Sequence, residues 1–260
     1  MGEELLVAAA AAWGAGTGAS LPRAAYRLSV PHAAADTAAS EDAPPGEGPA
    51  WRDACPAGHP IAGPFRGWLG RARCRACPRP RYGPSALPLA ILTAVLCAAL
   101  AAATGPCPEL GVWLLITPVG VLLAVVDVRV RRLPDPLTLP LAAGTLALLA
   151  VAAQVPGNDG DWSAALLGAL ALSGFYQLLC LVNPGGMGFG DVKLAVGAGA
   201  VLGWYGWGAV LLGTFAAFAS GAVYGGALVV LRKAGRKTAI PFGPFLLAGA
   251  CAGLLLGATA

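Results

Sequence analysis

The chain has 260 residues, 57% of them hydrophobic and 12% charged, with a mean hydropathy of +0.69. These values exclude an ordinary water-soluble domain and describe a polytopic membrane protein. The formal charge of +4 follows membrane topology, as the loops show, and does not mark a nucleic-acid-binding surface.

Segments long enough to cross a hydrocarbon core run over 5–22, 86–104, 109–126, 136–155, 162–182, 192–204, 207–231 and 240–258. The expected fold is therefore all-α, a membrane helix bundle of about eight transmembrane helices, with 192–204 the shortest. A bundle is required because backbone without partners cannot face lipid. The organisation predicted is a first helix over 1–22, a cytoplasmic loop over 23–85 and a membrane-embedded unit over 86–260.

The first segment carries Glu3 and Glu4 ahead of its apolar run and no Lys or Arg, the opposite of a secretory signal. It reads as a retained helix with its N-terminus outside. Every one of the 17 basic residues then falls in alternate loops, with nine in the first, Arg129, Arg131 and Arg132 in the third, Lys193 in the fifth and four in the seventh. The intervening loops hold Glu109, Asp159 and Asp161 and no basic residue, so the odd-numbered loops are expected in the cytoplasm.

The first loop is the one sizeable extramembrane piece. Its front half, "HAAADTAASEDAPPGEGPAW", has almost nothing to bury and reads as a flexible insert, with His32 a surface residue. Its back half, "CPAGHPIAGPFRGWLGRARCRACPRPRY", gathers three cysteines, a histidine and six arginines, the pattern of a small module pinned by a ligand. The other cysteines, Cys97, Cys107, Cys180 and Cys251, lie in or beside apolar helices, where a small apolar residue is unremarkable. Gly and Ala within the segments are expected to serve close helix packing.

Of the 13 acidic residues, eleven, Glu109 among them, fall in loops, termini or interfacial flanks. Asp127 and Asp191 lie at helix ends, at the same cytoplasmic depth. A carboxylate on a membrane helix costs roughly 2.5–3.5 kcal/mol at mid-bilayer and less near the interface, so such residues tend to be functional. Singly, Asp191 could merely cap its helix and Asp127 could pair with Arg129 or Arg131. Together, two carboxylates on one side of a bundle are what water activation by a shared-proton pair requires. Asp191, at a helix N-terminus, is the better-placed anion, and Asp127, at a C-terminus, the proton carrier. Gly185, Gly186, Gly188 and Gly190 are expected to permit positive φ and to let a substrate strand approach the backbone. Asp135, before a proline at a helix start, reads as an N-cap and hence as structural.

The stretches "GMGFGDVKL" and "VVDVRVRRLPDPLTLP" resemble the two aspartate segments of the type IV prepilin leader peptidases. Three others agree in order: "GAGTGASLPRAAYRLSVP" resembles that family's opening motif, "CRAC" half of its cysteine module, and "IPFGPFLLAGA" its last-helix motif. The resemblance implies an integral-membrane aspartic endopeptidase that cuts the leader from prepilin-like proteins at the cytoplasmic face. Its catalytic pair falls on Asp127 and Asp191, with Gly188 and Gly190 as motif glycines and Lys193 matching a lysine often found there. Proteolysis of this kind uses no cofactor.

The chain departs from the family in its module, which usually has two C-x-x-C pairs closing a structural zinc site. Cys74 and Cys77 form the second pair, but Gly58 stands where the first pair needs its second cysteine, with His59 one step further. The alternatives are a Cys3His zinc site of Cys55, His59, Cys74 and Cys77, or a metal-free loop. Longer family members also methylate the new N-terminus from S-adenosylmethionine. The missing cysteine, and Ala86 where such proteins tend to carry a glutamate, weigh against that activity here. Two other classes share parts of the pattern: a transporter using the carboxylates for protons or cations, and a non-catalytic pilus-assembly protein.

Overall fold

The computed structural model describes residues 2–30, 51–78, 80–183, 187–232 and 240–259. The flexible insert (all but Trp51), His32, Gly185, Gly186 and most of the basic seventh loop lie outside them.

The chain is helical throughout its membrane part. The helices are α1 (Gly2–Ser20), α2 (Pro22–Leu28), α3 (Ala86–Thr104), α4 (Glu109–Val130), α5 (Asp135–Ala152), α6 (Trp162–Val182), α7 (Phe189–Trp204), α8 (Trp207–Val230) and α9 (Gly243–Gly257). Five of them, α3, α4, α5, α6 and α8, are long and apolar enough to cross a membrane, and α1 with α2, bent by 45° at Leu21, makes a sixth. The expectation of about eight spans is thus approximate, with six meeting the length and composition of a span among the described residues. All eight apolar segments are helical, but α7 and α9 are only 16 and 15 residues long.

For α7 the physical reason is its position. It is buried from Asp191 along nearly its whole length, against α5, α6, α8 and α9, so it is the central helix of the bundle. The outer helices carry the lipid-facing surface instead, with Leu211, Phe215 and Val223 exposed along α8.

Small residues let the helices meet, as their distribution suggested. A methyl added at Gly14 or Gly18 of α1 would stand 2.5 Å from the backbone oxygens of Thr93 or Leu89 in α3. The same 2.5 Å would separate one at Gly168 of α6 from the Gly199 oxygen of α7, and 2.4 Å one at Gly249 of α9 from the Gly213 oxygen of α8. Three helix pairs are therefore in backbone contact, a mode in which van der Waals packing replaces the hydrophobic drive that lipid does not supply.

The part of the first loop that follows the insert is docked on α2. The Arg23 backbone N–H donates to the Gly70 oxygen at 3.1 Å, and its guanidinium reaches the Arg71 and Leu69 oxygens at 3.0 and 3.3 Å. Arg27 is buried, pairs with Asp53, donates to the Arg66 oxygen at 2.9 Å and lies over the Trp68 ring at 4.3 Å. Two of the nine arginines that indicated topology therefore also tie the module to the membrane domain.

Candidate active site

The bundle sorts its residues by end. At one end the last turn of α4 meets the first turns of α7 and α9. At the other, the start of α4 meets the end of α7 and the loop between α5 and α6. α4 and α7 thus run in opposite directions, and their aspartates arrive at the same end because one closes its helix and the other opens its own.

Asp127 and Asp191 are 5% and 7% exposed, and the Asp127 charge acts on Asp191. The structure thus brings together the two residues that the sequence singled out. Asp191 is not a cap. Gly188 occupies the N-cap position of α7 and accepts the Asp191 N–H at 3.0 Å, leaving the carboxylate inside the first turn. Asp127 Oδ2 accepts the backbone N–H of Gly243 at 2.9 Å.

That donor is a site residue which the sequence reading quoted within the last-helix motif but gave no role. A methyl at position 243 would stand 2.7 Å from Asp127 Oδ2, so only glycine leaves the carboxylate where it is. Tyr176 of α6 was missed altogether. It is fully buried among Phe218 and Phe242, within electrostatic reach of Asp191, and its hydroxyl has no hydrogen-bond partner among the described residues. An inward tyrosine on an apolar helix carries no sequence signal that separates it from core packing.

Three expectations change. Gly188 and Gly190 do not use positive φ: Gly188 is extended at φ −78, and Gly190 is helical, where a methyl would stand 3.0 Å from Leu133 Cβ. At Gly190 the requirement is close approach to Leu133. Asp135 does not cap α5, since Pro134 is the cap residue and the Asp135 carboxylate instead pairs with Lys193 at 2.7 Å. Lys193 thereby holds the start of α5 to α7 and lies 5.0 Å from the Phe189 ring centre.

The module of the first loop brings its four expected ligands together. His59 Nδ1 stands 3.6, 3.7 and 3.4 Å from the sulfurs of Cys55, Cys74 and Cys77, and the Cys55 and Cys77 sulfurs are 3.7 Å apart. A tetrahedral zinc ion separates such ligand atoms by roughly 3.5–3.8 Å, so the residues present fit that metal. Each half of the set sits on a tight turn. Cys55 exchanges backbone bonds with Gly58 and His59, and Cys74 N–H donates to the Pro80 oxygen at 2.7 Å. Gly58 turns at φ 82, a left-handed conformation, and so delivers His59 in place of the expected cysteine. Against the desolvation of burial, the Ala57 and His59 amides pull the Cys55 thiol down to about 6. Burial, and then the neighbouring thiols, push Cys77 up to about 12.

An apolar cleft of about 330 Å³ opens between α3, α4, α5, α7 and α9, lined by residues such as Leu92, Trp113, Leu194 and Leu247. Neither aspartate lines it.

Fold and site together define a multi-pass membrane protein with a buried carboxylate pair at one end of its bundle. The sequence profile of the type IV leader peptidase family matches residues 113–226, which include both aspartates. A prepilin leader peptidase/N-methyltransferase of Aeromonas salmonicida strain A449 is 34% identical over 220 residues, covering 79% of this chain and 72% of that protein. The protein of the same name from Aeromonas hydrophila is 35% identical over 217 residues, with the same coverage, and that of Bacillus subtilis strain 168 is 31% identical over 170 residues, or 64% of each chain. No solved structure shows significant similarity. The chain belongs to the type IV leader peptidase family and is a membrane peptidase.

Proposed function

We propose that this peptidase removes the leader of type IV prepilin-like proteins at the cytoplasmic face of the membrane, with Asp127 and Asp191 as its catalytic pair. The observation that carries the reading is the meeting of two nearly inaccessible carboxylates from antiparallel helices at one end of the bundle. Structure has little use for two such buried charges within electrostatic reach of each other, because removing each from water is costly and each opposes the other. Proteolysis does use them.

With one proton shared between the pair, the ionised oxygen takes a proton from water as it attacks the scissile carbonyl. The protonated partner gives its proton to the carbonyl oxygen. Collapse of the tetrahedral intermediate then breaks the C–N bond, and the leaving nitrogen receives a proton from the pair. The Gly243 N–H holds Asp127 in place, and the absence of a side chain at Gly188 leaves room beside Asp191 for substrate backbone. The Tyr176 hydroxyl is a further donor within this region.

Alternation of basic loops supports a cell-membrane location with the N-terminus outside and the active site at the cytoplasmic end. The lipid bilayer and prepilin-like proteins are then the partners, and proteolysis uses no cofactor. The module of Cys55, His59, Cys74 and Cys77 is read as a structural zinc site. Gly58 and Ala86 keep methylation from S-adenosylmethionine out of this reading.

The test is co-expression of a candidate prepilin with wild type, Asp127→Ala and Asp191→Ala, reading the leader-cleavage shift by gel. Each substitution is expected to abolish the shift, and cleavage surviving either one removes the dyad. Zinc analysis of purified wild type and Cys74→Ser checks the module, with one zinc fewer per chain expected in the variant.

A further inference from the structure

At the end of the bundle opposite the aspartates, Glu109 opens α4 with 0% of its surface exposed. Its sequence position suggested an interfacial flank, yet it is among the most buried side chains of the chain. Oε1 accepts the Asp159 backbone N–H at 3.1 Å and the Trp204 indole N–H at 3.3 Å, whereas Oε2 is buried with no partner among the described residues. No Lys, Arg or His side chain falls in the segments that form this end, 105–109, 153–161 and 205–206. A carboxylate so placed lacks the counter-charge that burial normally demands.

Two further ligand-type groups converge on it. The Cys107 sulfur contacts Asp159 Oδ2 at 2.7 Å, and one ligand atom from each of Cys107, Glu109 and Asp159 lies within 4.8 Å of the others. We propose that these three residues form a second metal site, for a divalent transition ion of the zinc class. The donor set argues for that class. A thiolate beside carboxylates suits a borderline-soft ion, whereas magnesium or calcium would favour oxygen ligands alone. Three protein donors leave a fourth tetrahedral position to water, and the exposed Asp159 marks the entry side. The adjustment needed is small, because thiolate and carboxylate oxygen on one zinc stand roughly 3.5 Å apart and Cys107 and Asp159 both sit on surface loops.

The consequence is mechanical. Glu109 begins the helix whose last turn carries Asp127, and Trp204 ends the helix whose first turn carries Asp191. An ion held by Glu109, Cys107 and Asp159 fastens the far ends of both aspartate-bearing helices, about 27 Å along α4 from Asp127 at the usual helical rise. It also neutralises Glu109 without a basic residue.

The test uses full-length purified protein and zinc ions as the probe. After chelator treatment, Cys107 is alkylated with a maleimide with and without zinc, and the modified peptide is followed by mass spectrometry. Zinc is expected to slow modification of Cys107 by about tenfold or more once present at ten times the dissociation constant, with chelator restoring the rate. Protection is expected to vanish in Glu109→Gln and in Asp159→Asn; the second alters only an exposed side chain and stands if the first fails to fold. Equal Cys107 modification with and without zinc in wild type, or protection that persists in the folded Asp159→Asn protein, overturns the site. Because the readout is confined to Cys107, neither the cysteine module nor the prepilin reading affects the outcome.

Discussion

One end of the bundle gathers Asp127 and Asp191 beneath a basic, arginine-tied module; the other gathers Cys107, Glu109, Asp159 and Trp204 with no basic side chain near. Both ends bury carboxylate, but they answer its cost differently. At the first end two buried carboxylates lie within electrostatic reach of each other, with a backbone N–H from Gly243 on one of them. At the second a single buried carboxylate takes an amide and an indole N–H and still has a bare oxygen, an arrangement suited to a cation. The same two helices, α4 and α7, supply both.

Three substitutions would break or sharpen this contrast. The largest effect is expected from Gly243→Ala, because a methyl 2.7 Å from Asp127 Oδ2 must displace the carboxylate from its partner. Leader cleavage by purified enzyme should fall by roughly a hundredfold while helix content and melting hold, since a misplacement of about 1 Å costs that much. Cleavage near the wild-type rate would show that the donor is dispensable.

An intermediate effect, on stability and not on chemistry, is expected from Trp204→Phe. It removes one donor from a buried carboxylate, worth about 1–3 kcal/mol, and should lower the melting temperature while the cleavage rate of the folded enzyme stays within about twofold. A selective loss of kcat would mean that the far end reaches the active site more directly.

The smallest effect is expected from Asp135→Asn. The pair with Lys193 is half exposed on the aspartate side, so its loss should cost no more than about 1 kcal/mol and leave cleavage intact. Abolished cleavage would transfer the catalytic role from Asp127 to Asp135.

Much of the site was legible in the sequence because membrane burial makes charge conspicuous. An aspartate among leucines and valines has few structural excuses, and both Asp127 and Asp191 were found that way. Cys55, His59, Cys74 and Cys77 were legible because ligand spacing is local. Gly243 and Tyr176 were not, since a glycine at a helix start and a tyrosine on an apolar helix look like packing until a neighbour from another helix is placed beside them. Glu109 was misjudged for a related reason: helix-end residues are usually solvated, and nothing local reveals that Trp204 and the loop carrying Asp159 close over it.

By itself the sequence determined that this is a helical membrane protein, which loops share a side, and that two carboxylates stand at one depth. Those properties are additive along the chain, through hydropathy, helical rise and the placement of charge. Only the tertiary structure decided that α7 is the central helix, that a backbone N–H of α9 serves Asp127, and that Cys107, Glu109 and Asp159 share one corner. These depend on which helices face each other, and that is set by glycine contacts such as Gly168 against Gly199, whose partners lie far apart in the chain.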